Sequence, residues 1–82
     1  MKSEIFYYAI QKRNKIKFLY GLEEIVLEPY YISYDKSGNK VIYGKPDYSN
    51  HIKKYEYKKI ANIKVLNNFR FSPIIPIIPW VN

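Results

Sequence analysis

The sequence predicts a mainly β domain with one N-terminal helix, its five short strands bending into a small barrel. Three observations predict it. The hydrophobic period changes from helical to two at Lys15. Turn-forming clusters then break the chain into short alternating segments. Finally, 82 residues hold one thin core and leave no room for a sandwich of two full sheets.

Residues 3–13 read as an amphipathic helix. Ser3 is a good N-cap, and Glu4 suits the positive end of a helix. Ile5, Phe6, Ala9, Ile10 and Arg13 fall on one arc, and Asn14 is a terminator. So short a helix must pack on something to persist.

The strands follow. Ile16, Phe18 and Tyr20 alternate with lysines over residues 15–20, ending at Gly21. Residues 25–34 form a longer strand, with Leu27, Pro29 and Tyr31 on one face and Val26, Glu28, Tyr30 and Ile32 on the other. Pro29 cannot donate to a ladder and marks a sheet edge or a bend. Asp35-Lys36-Ser37-Gly38-Asn39 is a hairpin loop. Strands over 40–45, 52–57 and 61–66 complete the set. Five strands of this length close most economically into an SH3/Sm-like barrel, because closure removes sheet edges, and the helix would cover one open end. The expected core is Ile5, Ala9, Ile16, Phe18, Leu27, Ile32, Val41, Ile63 and Val65.

The domain spans residues 1–70, and residues 71–82 form a proline-rich tail. Pro73, Pro76 and Pro79 recur every third residue before Trp80, a period that suits an extended polyproline-like strand. The tail either lies over the barrel, burying its isoleucines and Trp80, or docks on a partner, a second copy included.

Composition narrows the function. No apolar run approaches the ~20 residues of a membrane span. The lysines and arginine of residues 12–17 argue against a signal peptide. The chain has no cysteine, which removes disulfides and thiolate metal sites and makes a cytoplasmic location the default expectation. The net charge of +7 points to an anionic partner such as nucleic acid, a nucleotide or phosphate. It also fits mere composition, since the chain is rich in Lys, Ile, Asn and Tyr together. His51 is a lone loop histidine, so no metal site is expected. Serines lack partner triads and no glycine loop could cradle phosphates, so no catalysis and no cofactor are expected. Glu28, alone among apolar neighbours, is expected to pair with a lysine across the barrel.

The best candidate surface is the fourth strand and its exit. Lys53, Tyr55 and Tyr57 share a side at period two and Lys59 follows, with Tyr20 and Tyr43 as further members. Lysines beside aromatic rings supply cations for phosphate and ring faces for bases. Equally, Tyr55 and Tyr57 could be core residues with the lysines solvated.

Three segments carry a family resemblance. "AIQKRNKIKFLYG" resembles the opening of WYL domains, through Ala9, Ile10, Arg13, Ile16, Phe18 and Tyr20. "VLEPYYISYDKSGNKVIYG" is similar to that family's Val-x-Pro strand and hairpin, through Val26, Glu28, Pro29, Gly38 and Gly44. "KKYEYKKIANIKVL" resembles its closing pattern, with Lys53, Tyr55, Tyr57, Lys59 and Ile60 in place. The resemblance covers residues 5–70 and extends to short, stand-alone bacterial members. The naming Trp-Tyr-Leu triple is Lys40-Val41-Ile42 here, the closing arginines are lysines, and the closing aspartate is Lys58. The resemblance implies a regulatory or sensor module, of the kind attached to helix-turn-helix transcription factors or to phage-defence and CRISPR-related proteins, that binds nucleotides or nucleic acid. The alternative function is an SH3-like interaction or oligomerisation module, working through the sheet edge or the Pro73–Trp80 tail without a nucleic-acid ligand.

Overall fold

The computed structural model describes residues 2–71; the proline tail and Trp80 lie outside the described residues. Helix α1 (Lys2–Lys12) is followed by β1 (Asn14–Tyr20), β2 (Glu23–Tyr34), β3 (Lys40–Pro46), β4 (Lys53–Glu56), a 3-10 turn at Tyr57–Lys59, and β5 (Ile60–Arg70). The strands form one antiparallel sheet in the order β4-β3-β2-β1-β5.

Helix α1 ends one residue earlier than expected, because Arg13 adopts a left-handed φ of 60°. Its amide closes the last turn on the Ile10 carbonyl at 3.2 Å. Asn14 is therefore the first strand residue and not the terminator. Ser3 lies inside the helix, and its hydroxyl meets that of Tyr57 at 3.2 Å instead of capping. Phe6 and Ala9 are fully buried, whereas Ile5 is 36% exposed. Adjacent helical residues diverge by about 100°, so α1 can drive only one of Ile5 and Phe6 into the core, and the larger ring goes in.

Tyr20 pairs with Glu23, leaving Gly21-Leu22 as a two-residue hairpin. Gly21 supplies the positive φ of 66° that such a turn needs. In the next hairpin the Asp35 carboxylate accepts from the amides of Ser37 and Asn39, both at 2.9 Å, and Gly38 takes φ 85°.

Strand β2 sits in the middle of the sheet, but its ladder with β1 ends at the Ile16–Leu27 pair, so Pro29 is paired with β3 alone, on a locally open side of β2. It marks an irregularity: Pro29 pairs with Gly44, Tyr31 pairs with Tyr43, and Tyr30 is skipped. This bulge reverses the side-chain alternation. Ile25, Leu27 and Pro29 are buried before it, but Tyr31 beyond it is exposed and Ile32 turns inward against the core. The expected grouping of Tyr31 with Leu27 therefore fails at the register shift between Pro29 and Tyr31.

The sheet curls strongly. Three ladder spacings would hold β1 and β4 ~14 Å apart in a flat sheet. Instead the rings of Phe18 and Tyr55 lie 5.4 Å apart, and those of Tyr20 and Tyr55 5.0 Å. The expected closed barrel is nevertheless not formed, since no ladder joins β4 to β5. The four-residue β4 gives way at once to the 3-10 turn, and the Glu56 amide donates to the Tyr20 hydroxyl at 3.1 Å rather than to a strand.

One core cluster lies inside this curl under α1: Phe6, Ala9, Ile16, Phe18, Ile25, Leu27, Ile42, Tyr55 and Ile60. Val41 is fully buried, but apart from that cluster. Ile32, Ile63 and Val65 are only half-buried around its margin, contrary to the expectation that they fill it. They lie beyond the β2 bulge and on the terminal strand β5, where the sheet offers less cover.

Candidate basic aromatic face

The five sequence-predicted residues do not form one surface. Tyr20 is committed to structure: its ring meets Phe18 and Tyr55 edge-on, and its hydroxyl accepts from the Glu56 amide. Tyr43 stacks on Tyr31 directly across the β2–β3 ladder, with centroids 4.7 Å apart and planes 13° from parallel. Lys53 is exposed, its ammonium 5.1 Å from the Tyr48 ring, and it borders a shallow cleft with Glu23 and Glu24. Two carboxylates beside it disfavour phosphate there. Tyr55, expected as a candidate beside Lys53, is 4% exposed and belongs to the core. Burial foremost, helped by its contact with the Tyr48 hydroxyl, pushes the Tyr55 phenol well above its ordinary pKa.

Tyr57 and Lys59 remain, both in the 3-10 turn. Lys59 is exposed. Tyr57 is half-buried, edge-on to Phe6 at 5.1 Å. Burial raises its hydroxyl pKa, with Tyr7 and Tyr34 adding to the shift and the Ser3 hydrogen bond opposing it. The hydroxyl therefore stays protonated at neutral pH and serves as a neutral polar group.

Tyr57 brings together residues the sequence reading missed. The Lys40 ammonium lies 5.4 Å from the Tyr57 ring centroid and 5.9 Å from that of Tyr34. Lys2 donates to the Tyr57 carbonyl. Tyr7 and Tyr34 are largely exposed. The hairpin positions Lys40, because the Asp35–Asn39 loop makes Tyr34 and Lys40 cross-strand partners. That pairing was the one available signal in the sequence. The approach of Lys2 had none, since it depends on where α1 lies.

The cations of this face, like several others on the chain, stand outside the ion pairs. Among the described residues, ion pairs engage Lys15 with Asp47, Lys17 with Glu24, Lys45 with Glu28 and Lys58 with Glu56. Glu28 thus pairs with a lysine on the neighbouring strand and also accepts from the Tyr30 hydroxyl at 3.1 Å. Lys2, Lys40 and Lys59 have no ion-pair partner among the described residues. Ring faces meet the Lys40 ammonium, and a backbone carbonyl accepts from Lys2. His51 is exposed, and its amide donates to the Ser49 hydroxyl at 3.0 Å.

No family model matches the sequence, and neither does any curated protein or solved structure. The resemblance to WYL domains therefore rests on its three sequence segments. Among the described residues no helix is long and apolar enough to cross a membrane.

Proposed function

We propose that this chain is a non-catalytic module that binds nucleic acid or a nucleotide through the face formed by Lys2, Tyr34, Lys40 and Tyr57, with Lys59 on its margin. The observation that carries the reading is the Lys40 ammonium set near two tyrosine rings, with no carboxylate partner among the described residues. An ammonium so placed attracts a phosphate, and the exposed Tyr34 ring can take a base. The sequence resemblance to WYL domains supports the same ligand class. We read the curled sheet, with its 3-10 turn before the last strand, as an open form of the SH3/Sm-like arrangement. A cytoplasmic site of action is part of the proposal.

The test is titration of labelled single-stranded oligonucleotide at two salt concentrations. The parent should bind at low salt and weaken steeply as salt rises, because each neutralised phosphate releases counterions. Lys2→Ala/Lys40→Ala should lose most of that affinity. Lys53→Ala should not, because Lys53 sits beside Glu23 and Glu24. Equal binding by the parent and the Lys2/Lys40 double variant would place the ligand elsewhere.

A second reading has one observation in its favour: the outer edge of β5 is unpaired among the described residues. An 11-residue edge strand is a template for a second copy or a peptide strand. If the parent fails to bind any oligonucleotide or nucleotide at low salt and sediments as a dimer, the oligomerisation module replaces the binding module.

A further inference from the structure

A second basic cleft lies at the C-terminal end of α1, lined by Tyr8, Lys12, Asn14, Asn67 and Arg70, with a volume of about 320 Å³. None of these lining residues is acidic, and neither Lys12 nor Arg70 has an ion-pair partner among the described residues. The fold builds the cleft by two irregularities. Arg13 turns left-handed, so the chain leaves α1 and enters β1 within one residue. On the facing strand Leu66 pairs with Lys15 and Arg70 with Asn14, leaving residues 67–69 without β1 partners. Bulges of this kind re-aim side chains. Here the bulge brings Asn67 and Arg70 beside the helix end.

The polar groups are held in place. Asn14 is 5% exposed and donates through its amide nitrogen to the Asn67 side-chain carbonyl at 3.3 Å. That bond uses the Asn67 oxygen and leaves its amide N–H groups as donors. Arg70 donates from Nε to the Lys12 carbonyl at 3.2 Å, which anchors the guanidinium and leaves its terminal nitrogens for another acceptor. A tethered guanidinium, an ammonium and an amide donor line one cleft with no acidic residue among its described lining. That is the donor set for a phosphate oxygen triad.

We propose that this cleft binds a phosphate group carried by a small ligand, as a site separate from the Tyr57 face. Tyr8, 47% exposed at the cleft wall, offers a ring to whatever the phosphate is attached to. The competing explanation is purely structural: both cations cap the negative end of the helix dipole. The two differ in what they require. A cap needs no added anion and responds to none.

The experiment is a titration of the parent with inorganic phosphate and, separately, with a nucleoside 5′-monophosphate, both at constant ionic strength against chloride. Binding is read from backbone amide shifts. Saturable shifts are expected at Asn14, Asn67 and Arg70. Lys12→Gln removes an exposed charge whose side chain makes no hydrogen bond or ion pair among the described residues, so it should fold as the parent does. Loss of one charge-assisted hydrogen bond should weaken phosphate about tenfold in that variant. Arg70→Lys keeps the charge but loses the fork, and should weaken it as well. Equal affinity for the two probes assigns the site to phosphate alone, while tighter monophosphate binding adds Tyr8 as a ring partner. Lys2→Ala/Lys40→Ala should leave these shifts unchanged, which keeps failure of this site distinct from failure of the Tyr57 face. The proposal is overturned if the parent shows no saturable shift at those amides, or if Lys12→Gln binds phosphate as tightly as the parent.

Discussion

Gly44→Ala adds a single methyl group at the tightest point of the sheet. Gly44 pairs with Pro29 where β2 prepares its bulge, and the two strands approach closely there. A Cβ at residue 44 would fall on the Glu28 carbonyl oxygen, well inside contact, and within 2.8 and 2.9 Å of Leu27 Cγ and Cδ2. Carbon atoms settle at ~3.5–4.0 Å, so the methyl overlaps Leu27 by about 0.6–1.2 Å. Neither neighbour can yield cheaply. The oxygen belongs to the central strand, and Leu27 is fully buried opposite Ile16. Overpacking of this kind costs ~1–3 kcal/mol, and a backbone clash belongs at the upper end. A domain of this size has about 4–12 kcal/mol of total stability. At ~4–8 °C per kcal/mol, Tm should fall by about 10–20 °C. Gly38→Asn is the control: no atom lies within 4 Å of its Cβ, and asparagine tolerates a positive φ of 85°. Thermal melts followed by circular dichroism compare the three proteins. If Gly44→Ala melts within about 3 °C of the parent, the close approach of β2 and β3 is not as described.

Phe18→Ala should cost ~3–5 kcal/mol, because Phe18 is 1% exposed and its ring joins Tyr20 and Tyr55 across the curl; urea melts check it, and a loss under ~1 kcal/mol contradicts the core. Tyr20→Phe leaves the Glu56 amide without its acceptor and should cost ~1–2 kcal/mol. Hydrogen exchange at Glu56 should quicken in that variant, and unchanged protection would remove the Tyr20 tether. Stability should also fall in alkali. The folded state keeps the Tyr55 proton where an unfolded tyrosine ionises, near pH ~10, so this contribution is full below that pH and is lost as pH rises toward the raised folded value. Urea midpoints between about pH 9 and 11 should drop more steeply for the parent than for Tyr55→Phe, and parallel curves would contradict the burial.

The elements were legible because their causes are local. The change of period at Lys15, the turn residues of Asp35–Asn39 and the glycines at positive φ act within a few residues, and the helix and five strands lie within a few residues of where these signals put them. Choices between faces were less legible. Pro29 announces a bend or an edge beside Tyr30 but not the register slip that turns Tyr31 outward and Ile32 inward. The same holds for Tyr55, whose alternation with Lys53 and Tyr57 fits a surface or a core equally well until β1 curls over it.

By itself the sequence determined the class of fold, the order of its elements and the excess of positive charge, since these follow from composition and period. Only the tertiary structure decided that the sheet curls without closing, and that Lys40 and Lys2, rather than Lys53, accompany Tyr57. Such juxtapositions depend on contacts between residues as distant as Lys2 and Tyr57. Local propensity carries no information about them, because the energy that selects them arises only when the sheet and helix pack together.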